Sequence, residues 1–69
     1  MAGSDVISNV EITYCKSSDV FEVEYRGVTI TCTLSGAVRS MGSSLRVGSV
    51  VDVEVSSVDI TRGKIVAIK

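Results

Sequence analysis

Five basic residues in the second half of the chain, Arg39, Arg46, Arg62, Lys64 and Lys69, carry the chemistry most readily put to use. Arginine forks and lysine ammonium groups hold phosphate oxygens, and each such contact adds a salt-dependent increment of affinity for nucleic acid. Other chemistries are poorly supplied. The chain has no histidine, which removes the commonest general base. Glu22 and Glu24, and likewise Asp52 and Glu54, stand two apart on strand-like segments. Paired carboxylates can do acid and base work, but nothing in the sequence supplies them with a pocket or a partner, and a solvated strand face accounts for them. The serine pairs at 17–18, 43–44 and 56–57 have no neighbouring base to activate a nucleophile and read as turn formers. Cys15 and Cys32, without histidine, make neither a disulfide framework nor a zinc site and are expected to be free thiols. A binding protein without catalytic residues, metal or cofactor is the expectation.

A chain of 69 residues has room for one domain, 1–69, whose core is marginal unless the fold is compact or has a partner. Residues 1–5 are expected to form a flexible tail. The hydrophobic share of 45% and charged share of 22% belong to a folding globular chain rather than a disordered one. Seven Lys plus Arg against eight Asp plus Glu leave a net charge of -1, so the whole-molecule field gives no general pull toward phosphate. No apolar run reaches the roughly 20 residues needed to cross a bilayer, and the start of the chain lacks the pattern of a signal peptide. A cytoplasmic protein that does not bind membranes is therefore expected.

Alternation by two dominates the pattern and predicts strands. Val10, Ile12 and Tyr14 share one face of a first strand, opposite Glu11, Thr13 and Cys15. After a polar turn at 16–19, Phe21, Val23 and Tyr25 alternate with Glu22 and Glu24. Arg26-Gly27 then leads into Val28 to Leu34, where Ile30, Cys32 and Leu34 alternate with Thr29, Thr31 and Thr33. Gly27 suits the positive φ of a tight hairpin between the second and third strands. From Ser35 to Val47 the alternation stops, and one or two helical turns are predicted, with Ser35 as cap and Val38 and Met41 facing inward. Val51, Val53 and Val55 alternate with Asp52, Glu54 and Ser56 in a fourth strand, and a fifth runs from about Arg62 to Lys69. Five strands with a short helix between the third and fourth predict an all-β, five-stranded Greek-key barrel of the oligonucleotide/oligosaccharide-binding (OB) type. An SH3-like barrel is the rival.

Several segments also resemble bacterial translation initiation factor one. The family's Phe-Arg-Val-Glu-Leu is similar to Phe21-Glu22-Val23-Glu24-Tyr25, and its Ile-Ser-Gly-Lys-Met-Arg to Leu34-Ser35-Gly36-Ala37-Val38-Arg39. Its Gly-Asp-Lys-Val-Thr-Val-Glu resembles the run from Gly48 to Glu54, and its Asp-Leu-Ser-Lys-Gly-Arg-Ile-Val the run from Asp59 to Val66. The resemblance implies an OB-type barrel that binds the decoding region of the small ribosomal subunit through rRNA contacts and cooperates with the other initiation factors. It implies RNA contacts at Arg39, Arg62 and Lys64 and, more loosely, at Arg46 and Lys69, and a monomer is expected. Ala37, Ser40, Gly42 and Ser44 stand where the family usually has lysine, lysine, tyrosine and arginine, and Thr33 where it has histidine.

Barrels of this class usually read nucleic acid on the outward face of their second and third strands, by aromatic stacking over a positive groove. That face is expected to present Glu22, Glu24, Thr29, Thr31 and Thr33, with Tyr14, Phe21 and Tyr25 turned to the core. Two other readings stand beside RNA binding. The segment Ser56-Ser57-Val58-Asp59-Ile60 resembles part of the small oligomeric molybdate-binding barrels, which implies an oxyanion module. The absence of Pro, His and Trp suits an engineered or degenerated barrel that has lost RNA binding.

Overall fold

The computed structural model describes residues 4–69. It contains β1 (Ser4–Cys15), β2 (Val20–Tyr25), β3 (Val28–Leu34), a 3₁₀ helix (Arg39–Ser44), β4 (Val50–Ser56) and β5 (Arg62–Ile68). The strands close into one barrel in the order β1-β2-β3-β5-β4. Every neighbouring pair is antiparallel except β3 and β5, which run parallel. This is the expected OB-like barrel, helix between strands three and four included.

Local chemistry explains most of it. Val51, Val53 and Val55 line the interior from β4, Phe21 and Val23 from β2, and Ile30, Cys32 and Leu34 from β3. β-Branched side chains pack well on such a pleated, half-buried surface, and each alternate position carries a polar or charged residue outward. The β2–β3 hairpin turns through Arg26 (φ 54°) and Gly27 (φ 80°), the two positive dihedrals of a type I′ turn, which matches the strand twist.

β1 departs from simple alternation twice. Ile7 pairs with Val53 and Val10 with Val51, so β1 carries one residue more than β4 between these pairs. Asn9 takes the extra residue in the left-handed region, at φ 59°. A second bulge, at Thr13, sets two residues of β1 against one of β2, between the pairs Ile12–Val23 and Tyr14–Glu22. The slip reverses the strand's faces. Tyr14, expected inside, is 56% exposed, and half-buried Cys15 packs against the core instead. Ser4 and Asp5, expected in a flexible tail, instead pair with Ser56 and Val55 of β4. Residues 1–3 lie outside the described residues.

The helical segment also differs from expectation. It is a 3₁₀ helix starting at Arg39, and Ser35 does not cap it: the Ser35 hydroxyl is buried without a hydrogen-bond partner. Met41 points outward, while Val38, Gly42 and Leu45 are the buried positions. Gly42 lies so close to β3 that a Cβ there would stand 2.5 Å from Leu34 Cδ1. The helix therefore covers the core through a glycine contact, and the exposed positions fall to Met41 and the serines.

Gly63 of β5 stands in the inward row Cys15–Phe21–Cys32–Gly63–Val55. A Cβ at this position would come within 2.7 Å of Val53 Cγ1, 3.1 Å of the Glu54 carbonyl oxygen and 3.2 Å of Val55 Cγ1. Stiff valine side chains and backbone cannot yield there without moving β4 against β5. Gly63→Ala is expected to cost about 2 kcal/mol, a drop in Tm of roughly 8–15 °C in a thermal melt. An unchanged Tm would show that β4 accommodates the methyl.

Candidate nucleic-acid interface

The register of the barrel assembles an outward row across four strands. Tyr14 of β1 pairs with Glu22 of β2, Glu22 with Thr31 of β3, and Thr31 with Arg62 of β5. At about 4.8 Å per strand, Tyr14 and Arg62 stand roughly 14 Å apart along this row. A second outward row runs Val20–Thr33–Lys64–Glu54. Arg62 and Lys64, two residues apart on β5, thus extend the threonine face of β3 with two cations. This face combines a ring able to stack on a base, hydroxyls able to share hydrogen bonds, and cations able to hold phosphate.

Tyr14 is the residue that sequence pattern misplaced. Its exposure follows from the Thr13 bulge, where the Thr13 hydroxyl donates to the Glu22 carbonyl oxygen at 3.2 Å. The sequence signal for it is the neighbouring pair Tyr14-Cys15 at a strand end. One of two adjacent apolar side chains must leave the core, and the phenol tolerates water better than the thiol.

The five predicted cations do not form one patch. Arg62, 82% exposed, holds Asp59 at 3.6 Å. Asp59 also accepts hydrogen bonds from the amide and hydroxyl of Thr61, and these, with Arg62, hold its carboxyl below the ordinary range. Lys69 lies at the other end of β5, roughly 20 Å along the strand from Arg62. Its ammonium meets Asp52 at 3.2 Å. Asp52 in turn accepts the Asn9 amide at 3.1 Å, and that bond, more than the lysine, keeps its carboxyl below the ordinary range against partial desolvation. The carboxylate is a clamp on the β1 bulge. Arg46 sits in the turn before β4, its amide donating to Ser49 Oγ at 3.1 Å. That turn is close to Lys69, whose amide bonds Val50. Arg39 opens the 3₁₀ helix, exposed to solvent.

Both cysteines are free thiols. Cys15 and Cys32 occupy the same inward row with Phe21 between them. Two strand spacings put them roughly 10 Å apart, too far for a disulfide. Burial pushes the Cys32 thiol up to about 12, so it stays neutral in the core.

The sequence matches no protein-family model, and no curated protein matches it either.

Because the Asp52 carboxyl is held below its unfolded value of about 3.9, the unfolded chain takes up the proton first on acidification. Its contribution to stability is complete above that value and is lost as pH falls through the lower folded value. Melts between pH 5 and 2 should show the Tm of Asp52→Asn falling less steeply than that of the wild type. Parallel curves would remove Asp52 from the acid response.

Proposed function

We propose that this chain is an RNA-binding module of the initiation-factor-one kind, docking on the small ribosomal subunit without catalysing a reaction. A single RNA strand lies over the outward face of β1, β2, β3 and β5, with a base on Tyr14 and phosphates at Arg62 and Lys64. The observation that carries this reading is the exposed Tyr14 ring in the same outward row as Thr31 and Arg62. An aromatic platform beside cations is what sequence-tolerant recognition of single strands requires. Arg39, Arg46 and Lys69 are secondary contacts, and Lys69 must leave Asp52 to serve. The assignment to the ribosome, to the company of other initiation factors and to the cytoplasm rests on the sequence resemblance.

The oxyanion reading finds little support in the 57–61 loop. The Val58 amide goes to Ser56 Oγ, and the Thr61 amide and hydroxyl go to Asp59. These donors are spent within the loop, and the two from Thr61 face a carboxylate, which repels an anion.

The test is co-sedimentation with bacterial small subunits at low and moderate salt, beside fluorescence anisotropy with a labelled single-stranded RNA. Tyr14→Ala should weaken RNA binding by about 1–3 kcal/mol without altering its salt dependence. Replacing both Arg62 and Lys64 with alanine should flatten the slope of log K against log salt by roughly 1.4. Glu22→Gln removes a carboxylate from the middle of the face and should tighten binding. No affinity for subunits or RNA at low salt would sink the reading.

A further inference from the structure

β1 serves two partners in succession. Its first part, as far as Glu11, pairs with β4, and its last residues, from Ile12, pair with β2. The end of β2, Glu24 and Tyr25, pairs only with β3. Between these diverging edges a cavity of about 510 Å³ opens at one mouth of the barrel. Val6 and Ile7 form one wall, Tyr25 and Arg26 the other, with Ile30 and Val55 among the lining residues. Over Ser4–Ile7, β1 has a strand on one side only among the described pairings, which leaves a row of backbone donors and acceptors open to another chain.

This mouth is also where apolar surface collects. Val6 is 58% exposed and Ile60, which also lines the cavity, 53%; Val58, in the same β4–β5 loop, is 92% exposed. The charges at the cavity come as one of each sign. Asp5 lies on the β1 wall and Arg26 on the hairpin wall, its guanidinium 5.3 Å from the centre of the Tyr25 ring. A two-fold axis brings the same surface of each subunit to the other, so one acid and one base on opposite walls complement themselves.

We propose that this mouth is the interface of a homodimer, in place of the monomer expected from the sequence. The first residues of β1 add antiparallel to the same edge of a second copy, Val6 and Ile60 bury against their equivalents, and Asp5 meets the partner's Arg26. A second copy supplies the free strand edge, the apolar side chains and both charges together. A barrel of 69 residues, with a core near the lower limit of self-sufficiency, gains most from such burial. None of Tyr14, Thr31, Arg62 and Lys64 lines the cavity, and dimerisation is read by mass in the absence of RNA.

Sedimentation equilibrium from about 10 μM to 1 mM, a range suited to a small interface, should show the mass rising from 7.3 kDa toward twice that value. Asp5→Arg and Arg26→Asp should each weaken association about tenfold or more, and the double exchange should restore it. Aspartate tolerates the left-handed turn position of Arg26, so the hairpin is kept. Amide exchange of the wild type supplies a readout independent of any variant: amides between residues 4 and 7 should exchange more slowly at the high concentration. A mass of 7.3 kDa throughout, concentration-independent exchange, or single reversals that associate like the wild type would each overturn the proposal.

Discussion

Closure of this barrel requires β1 to hydrogen-bond with β4 along its first part and with β2 along its last, although those two strands diverge. A bend in β1 lets its two ends follow partners that diverge. The extra residue at Asn9 supplies the bend, and Asp52 fixes it by accepting the Asn9 amide that the bulge withdraws from the ladder. Lys69 neutralises the carboxylate from the end of β5. Three segments distant in sequence thus meet at one strained residue. The opening beside Val6 lies where β1 runs with β4 alone, before this bend.

Electrostatics shapes this molecule locally more than globally. With net charge -1, attraction to phosphate must come from the placement of particular cations. Two of the five candidates, Arg62 and Lys69, are engaged by carboxylates of the chain itself. Pairs this exposed are worth little, so a phosphate can compete for Arg62 at small cost. In the proposed RNA complex the aromatic ring and the hydroxyls carry a larger share of the recognition than in a strongly basic barrel.

Strands two to four were legible because each obeys the period of its pleat: the valines of β4, the threonines of β3 and the Arg26-Gly27 turn state their positions individually, while β5 showed only as the apolar run Ile65–Ile68, its register with β4 broken by an extra residue at Val66. β1 was legible only in its middle. Ile7-Ser8-Asn9 breaks the alternation, so nothing local marks residues 4–9 as strand, and the bulge at Thr13 turns Tyr14 outward for a reason that lies in the β2 register. The 3₁₀ helix was placed correctly and oriented wrongly at Met41, since Gly42 approaches Leu34 more closely than any side chain could. Among the candidate residues, pattern found Arg62 and Lys64 on one face, overestimated the reach of the cluster toward Lys69, and missed the exposed ring of Tyr14 on that face.

The pairing of Ser4 with Ser56 joins positions 52 apart in a chain of 69. Such a contact cannot help the chain until almost all of it is available, since the entropy of closing so long a loop must be met before the pairing rewards it. The β2–β3 hairpin, with its two-residue turn, can form early and alone. The first part of β1 is made before its partner β4 and must wait for it. During that interval Val6, Ile7 and Val10 are open to whatever edge comes by, and the mixed topology places folding on the slow, millisecond-to-second side of the range for small domains.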